Sequence, residues 1–265
     1  MPKIFVVVPR IKNDSDVIES FCRHYLRFVD GIVLTDDGSA DNTVWIVESL
    51  ISEGHNVILY HRSDFPHIVD SDLSSRLEYV NMVIGIAFDE HGADIVLPVN
   101  CDEFLFAKNG ESPRAYIEKL QHDVVRKIKW RNAIYENEPT DNTMFLPMYF
   151  DEYLDESYDW FGRIVFSRHL YKELGGRIVI GLHDIEFPNQ GGPAKATDLP
   201  ELCYAHYAVR GTVQYTIKVV TGWMVMIANN ITYAGEHWKN GFEDAKKHGV
   251  LSQELTKDSF KNNID

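Results

Sequence analysis

Four short apolar runs carry most of the constraint on this chain. Ile4–Val8, Ile32–Thr35, Val57–Tyr60 and Ile95–Val99 show little alternation, the pattern of strands buried on both faces. Stretches with helical spacing separate them. Val17, Ile18, Phe21, Cys22, Tyr25, Leu26 and Val29 form the first, with Asn13 or Asp14 placed to cap it. Asp41 is placed to cap a second, which carries Val44, Val47, Leu50 and Ile51 and closes at Gly54. Leu77, Val80, Ile84 and Phe88 mark a third that ends near Gly92. Strands alternating with amphipathic helices predict right-handed βαβ units: an α/β protein with a mostly parallel sheet and helices on both faces. Pro98 fits this poorly, because a central strand needs every N–H for its ladder.

Around Lys127 the pattern changes to shorter, less regular strands, then to loops between Glu136 and Tyr158. Helical patterns return over Thr212–Ala228 and Trp238–His248. The expectation is a core over residues 1–125. Residues 126–265 would form a smaller, irregular α+β extension packed on it as part of one structural unit. A chain of 265 residues is long enough for that.

Composition narrows the function. Lys and Arg number 26 against 40 Asp and Glu, a formal charge of −14, and no long basic run exists to grip phosphate backbones. Nucleic acid is therefore an unfavourable partner. Cys22, Cys101 and Cys203 are odd in number and far apart, which suits neither a zinc motif nor a disulfide framework. The apolar run at Ile4–Val8 is too short for a signal-peptide core, and no run reaches the ~18 residues of a spanning helix. A cytoplasmic protein is expected, with peripheral contact at the inner membrane face left open.

In an open parallel sheet, ligands bind beyond the carboxyl ends of the strands. Pro9-Arg10, Asp36-Asp37 and Asn100–Glu103 each follow a strand, so a one-way sheet delivers all three to one rim. No GxGxxG and no GxxxxGK[ST] is present, so neither a dinucleotide fingerprint nor a P-loop is available. A carboxylate-rich rim repels phosphate, but it suits a hard divalent cation that bridges to a diphosphate. Departure of a nucleoside diphosphate is the simplest chemistry that follows.

Ile11-Lys12-Asn13-Asp14, Thr35-Asp36-Asp37-Gly38-Ser39-Ala40-Asp41-Asn42-Thr43 and Asn100-Cys101-Asp102-Glu103-Phe104 resemble three signatures of family 2-like glycosyltransferases of the GT-A fold: KNE, DDGSxDxT and DxDEF. Gly181-Leu182-His183-Asp184 resembles the GxH element of that group, and His206–Gly211 with Lys218 its HYxxR…K element. The resemblance runs in order from residue 4 to about residue 223. It implies that Pro9, Arg10 and Lys12 line a nucleotide pocket, with Asp37 reading the base. Asn100 and Asp102, flanking Cys101, would span ribose and metal, with Asp102 a direct ligand of Mn²⁺ or Mg²⁺. His183 would be a further metal or diphosphate ligand, and Arg76 a diphosphate partner by analogy. His206, Arg210 and Lys218 come from the last element. The implied reaction moves a sugar from a nucleotide-activated donor, UDP-linked as first choice, to a hydroxyl of a glycan or glycoconjugate, as in polysaccharide biosynthesis.

For an inverting reaction Asp184 is the chosen general base, with Glu186, Asp151, Glu152 and Asp155 as rivals. The first acid of DxD is Asn100 here, which lowers the charge offered to a metal. That departure keeps open a non-catalytic nucleotide-sugar-binding or scaffold relative. A nucleotidyltransferase is the other alternative, although Pro9–Asn13 is a thin substitute for its Gly-rich phosphate loop. Asp36–Asp41 taken alone also reads as a turn and helix cap. Asp37, Ser39, Asp41 and Glu48 match calcium-loop spacing too, but a strand precedes them and Asn42 stands where glycine is required.

Overall fold

The structure is a computed structural model that describes residues 1–66, 73–134, 152–153, 162–188, 192–193, 195–228 and 236–252. Its strands are β1 (Ile4–Ile11), β2 (Gly31–Asp36), β3 (Val57–His61), β4 (Ile95–Pro98), β5 (Glu103–Ala107), β6 (Arg126–Ile128), β7 (Trp130–Ile134), β8 (Glu152–Tyr153), β9 (Arg163–Ser167), β10 (Arg177–Ile178), β11 (Ile185–Phe187), β12 (Gly192–Pro193), β13 (Thr197–Asp198) and β14 (Leu202–His206). The helices are α1 (Ile18–Tyr25), α2 (Thr43–Ser52), α3 (Leu73–Asp89), α4 (Arg114–Ile117), α5 (Arg168–Lys172), α6 (Thr212–Ala228) and α7 (Glu236–His248). No helix among the described residues is long and apolar enough to cross a membrane.

The chain forms two compact units: residues 1–131 with 156–206, and residues 132–155 with 207–265. The first is built on a seven-stranded sheet of order β13-β6-β9-β4-β1-β2-β3. β4, β1, β2 and β3 are parallel, β9 runs antiparallel between β4 and β6, and β13 lies parallel to β6. This is the expected α/β class with a mostly parallel sheet. Three of the seven strands lie beyond residue 125, because β6, β9 and β13 extend the sheet past β4.

β1 sits between β2 and β4, and Ile4 through Val8 are almost wholly buried, which explains a run without alternation. Each such Val or Ile contributes about 1.5–3 kcal/mol on burial. The main apolar cluster joins Val7, Val33 and Val96 to Val83, Ile84, Ala87 and Phe88 of α3, and to Phe166, Leu170 and Ile185. Pro98 is accommodated because β4 pairs β9 only through Ile95 and Val96. The side on which Pro98 lacks an N–H has no ladder left, while Val99 N–H still donates to the Val7 carbonyl (3.0 Å).

The expected caps shift by a residue or more. Val17 stands at the N-cap of α1 and Asn42 at that of α2, neither with a side-chain cap bond. Asp14 and Asp41 act just upstream: the Asp14 carbonyl takes the Val17 and Ile18 N–H groups, and Asp41 Oδ1 takes Thr43 N–H (2.9 Å). α2 does close at Gly54, whose φ of +89° suits glycine. β1 continues through Pro9 to Ile11 by a register shift after Val8.

The second unit holds the β7–β8 ladder over Ala133–Tyr153 and Ile134–Glu152, and the α6–α7 pair. Tyr215 and Val219 of α6 pack with Ala208, Val209, Ala245 and Leu251. Asp151, Asp155 and most of the expected Glu136–Tyr158 loop lie outside the described residues.

Candidate active site

The loops after β1 and β2 are built into each other. Asn13 N–H donates to Ser39 Oγ (3.0 Å), and Ala40 N–H donates to Asn13 Oδ1 (2.8 Å). Asp14 N–H donates to Thr43 Oγ1 (2.8 Å), and Ser15 N–H to Asp41 Oδ2 (3.1 Å). Two sequence-distant segments therefore satisfy each other's backbone groups, as surface loops must. Burial alone would raise the Asp41 carboxyl, but the hydrogen bonds from Thr43 and Ser15 outweigh it and hold Asp41 below its ordinary value.

The acids of this stretch divide by what they touch. Asp36 is buried and accepts from Gly38 and Ser39 N–H (3.0 and 3.1 Å), which makes it the turn-former. Asp37 accepts from the Arg10 guanidinium, with Lys12 Nζ 3.9 Å away. Arg10, Lys12 and Asp37, singled out from three different positions in the sequence, thus form one charged cluster on the rim. At the end of β3, His61 Nδ1 lies 3.8 Å from Asp36 Oδ2, and just past the strand the Arg62 guanidinium stacks 4.5 Å from the Tyr79 ring. Pro9 sits inside β1, and Arg76 lies in the first turns of α3, half-buried.

A second cluster grows from strand register. β14 pairs β5 antiparallel, with His206 directly opposite Glu103. Directly opposed residues share a face, so the imidazole and the carboxylate meet although a hundred residues separate them. Asp102 precedes Glu103 in the turn that opens at Asn100, and His206 Nε2 lies 3.9 Å from Asp102 Oδ1. Asp102, Glu103 and His206 are all buried, and each offers one ligand atom within 4.8 Å of the others. Among the described residues they are the one His/Cys/Asp/Glu group able to hold a metal. Asn100 reaches Glu103 through its backbone N–H, which donates to Glu103 Oε2 (3.1 Å). Cys101 is buried beside them.

Arg163, at the start of β9, organises this cluster, and sequence reasoning missed it. Its guanidinium grips Glu103 with two bonds, Nε to Oε2 at 2.8 Å and Nη2 to Oε1 at 2.5 Å. Nη1 donates to the Gly181 carbonyl, and the whole group lies 4.8 Å from the Trp130 ring. Trp130 in turn contacts His183 and His206, with ring centroids 5.2 and 5.1 Å apart. Arg163 opens the apolar run Ile164–Phe166 and Trp130 a strand of mixed polarity, and neither gives a local signal; only a partner 60 residues upstream reveals the arginine.

His183 is brought to the same cluster but stands outside the group of three ligands. Its Nδ1 lies 2.8 Å from the Gly162 carbonyl. Arg163 Nη1 lies 3.0 Å from the same Nδ1 and 3.4 Å from Nε2, so the ring sits between a carbonyl acceptor and a guanidinium donor. The Gly181-Leu182 turn that presents it is tight, with φ +73° and +61°. A Cβ on Gly181 would lie 2.4 Å from His183 Cδ2, so the glycine is required twice over.

At Asp184, Lys127 Nζ lies 3.8 Å from Oδ2, and Oδ1 accepts Ile185 N–H. Arg210 and Lys218 belong to the second unit, where Arg210 donates to the Tyr207 carbonyl (3.3 Å) and Lys218 lies on α6. A concavity of about 350 Å³ lies on the outer face of α3, between Gly85, Ile86, Tyr171 and Arg177; it includes none of the rim residues.

No protein-family model matches this sequence, and no curated protein does. Among solved structures, it is similar to S. aureus TarS 1-349 (TM-score 0.42, 17% identity, 66% of this chain and 50% of that one). The same protein in complex with UDP gives TM-score 0.47 and 15% identity over 99% of this chain and 75% of that one. Glucosyl-3-phosphoglycerate synthase from Mycobacterium tuberculosis, in complex with Mn²⁺, UDP and glucosyl-3-phosphoglycerate, gives TM-score 0.32 and 17% identity over 49% and 44%. The chain thus spans half of the TarS 1-349 chain in the first match and less than half of the synthase.

Proposed function

We propose that this chain is a divalent-metal-assisted glycosyltransferase that moves a sugar from a nucleoside-diphosphate donor, UDP-linked as first choice, to a hydroxyl of a glycan or glycoconjugate. The observation that carries the reading is the meeting of Asp102 and His206, 3.9 Å apart at the buried end of the β5–β14 ladder. It lies just past the carboxyl end of β4, the strand beside β1, whose own end carries Arg10 and Lys12.

The donor set fits Mn²⁺ or Mg²⁺. At ~2.1 Å from one octahedral ion, cis ligands stand about 3.0 Å apart and trans ligands about 4.2 Å, so the pair at 3.9 Å would share an ion after a side-chain shift of under about 1 Å. Such ions need only one or two protein carboxylates, because water and phosphate oxygens complete the shell. When bound, the metal would supply Lewis-acid stabilisation of the departing diphosphate. Asp102 and His206 would hold it, and Arg10, Lys12 and Asp37 would orient the nucleoside, with Pro9, Asn100 and Cys101 beside it. Arg76 and His183 would face the diphosphate, and Asp184, fixed by Lys127, would serve as base for the acceptor hydroxyl. Arg210 and Lys218, named by the last sequence element, lie in the second unit. A cytoplasmic location goes with this reading.

The test is slow hydrolysis of UDP-sugars by the purified chain, with and without Mn²⁺, beside calorimetry with UDP. Mn²⁺-dependent hydrolysis that vanishes in Asp102→Ala supports the reading. Failure of any nucleoside diphosphate to bind, with or without metal, sinks it. Nucleotide binding without turnover would instead favour a non-catalytic relative, and pyrophosphate release from a nucleoside triphosphate a nucleotidyltransferase.

A further inference from the structure

Glu103 belongs to the group of three ligands, yet both its oxygens already take N–H groups. Arg163 supplies two, at 2.5 and 2.8 Å, and the Asn100 backbone a third, at 3.1 Å. A carboxylate has about four lone-pair directions, so one remains. That one lies beside a guanidinium, whose charge repels a second cation. The arginine side chain is 2% exposed and the glutamate 0%, so this is an ion pair fully removed from water. Such pairs are weak contributors to stability compared with a well-packed apolar replacement. What distinguishes this one is its surroundings: the Gly181 carbonyl, the His183 ring and the Trp130 face all contact the same guanidinium.

We propose that Arg163 is a positioning residue that withholds Glu103 from the cation, leaving Asp102 and His206 as the ligands this unit supplies. The inference rests on the metal reading given above. It follows that the site carries little negative charge of its own: Asn100 is neutral and Glu103 is balanced by Arg163. The free protein then holds Mn²⁺ weakly, and the diphosphate supplies the missing negative charge. The same guanidinium fixes the Gly181 carbonyl, so the His183 turn is held to the glutamate's strand by one side chain.

The experiment measures binding of Mn²⁺ alone to the nucleotide-free chain, by the electron-spin-resonance signal of the unbound ion. Wild type, Arg163→Met, Glu103→Gln and the double variant are compared, each checked for a native far-UV spectrum. Releasing Glu103 adds a charged ligand, so Arg163→Met is expected to bind Mn²⁺ at least about tenfold more tightly. Removing that acid as well should return the double variant to within about threefold of wild type. A folded Arg163→Met with unchanged or weaker Mn²⁺ affinity overturns the proposal, as does a double variant as tight as the single. Should Arg163→Met not fold, Arg163→Lys keeps the charge but cannot grip both oxygens. A gain of about threefold is then expected, and no gain overturns the proposal. Asp102→Ala separates the two readings. If it leaves Mn²⁺ binding untouched, with and without UDP, the metal site itself is wrong. If it abolishes binding while the arginine variants change nothing, only the role of Arg163 falls.

Discussion

Replacing Gly181 by alanine tests how tightly the His183 turn is set. Two costs arise, and the structure separates them. The first is backbone strain at φ +73°, about 1–2 kcal/mol for a residue with a Cβ. The second is contact, because the new methyl would stand 2.4 Å from His183 Cδ2 and 2.7 Å from Nε2. Relief requires the ring to retreat by roughly 1 Å, toward an ordinary contact distance of about 3.4–4 Å. The ring moves more easily than the turn, but its retreat breaks the Nδ1 bond to the Gly162 carbonyl. That loss is worth about 0.5–1.5 kcal/mol. Gly110 supplies the control, since its φ is +79° and nothing lies within 4 Å of a Cβ built there. Urea denaturation of both variants should place Gly181→Ala below Gly110→Ala by about 0.5–1.5 kcal/mol, as a midpoint shift at constant slope. UDP-sugar hydrolysis should fall in Gly181→Ala alone. Equal midpoints and equal activities would refute the claim that the turn holds the histidine by contact.

Asp36 and Asp37 should separate cleanly. Asp36→Ala strips the acceptor from two backbone N–H groups and is expected to cost about 1–3 kcal/mol in a denaturation midpoint. Asp37→Ala, which removes an ion pair to a half-exposed arginine, should cost under about 1 kcal/mol yet weaken UDP binding in calorimetry. The reverse pattern would overturn the division of roles. His24, packed against Phe28 and Phe104 with Nε2 donating to the Leu105 carbonyl (2.7 Å), gives a pH dependence. Burial lowers its pKa from 6.5, so the unfolded chain takes up the proton more readily than the folded one. Stability is then complete above about pH 6.5 and declines below it, and His24→Gln should flatten that decline. Parallel slopes in the two proteins would contradict it.

Much of the fold was legible because its signals are local. The apolar runs that became β1 to β4 owe their lack of alternation to burial on both faces, and Thr212–Ala228 appears as α6 with the same bounds. The loops after β1 and β2 were visible for the same reason: turn chemistry is written in adjacent residues. What the residues do not show is register and return. Nothing near Arg163 marks it as ionic, since its partner lies on a strand 60 residues upstream. Nothing near His206 says that it faces Glu103 rather than Phe104; one step of slip in the β5–β14 ladder would turn it to the other face. The antiparallel passage of β9 beside β4, which extends the sheet past residue 125, is likewise a tertiary choice. Trp130, in a short strand, reads as core and is core, but it also touches both histidines.

The interlocked turns after β1 and β2 carry a consequence for kinetics. Because Asn13, Asp14 and Ser15 are tied to Ser39, Asp41 and Thr43, neither segment can detach without the other. Amide exchange should therefore release both stretches at one rate, as a single cooperative patch. On the proposed function, a nucleoside would meet a surface already set there, with little of its affinity spent on ordering the loops.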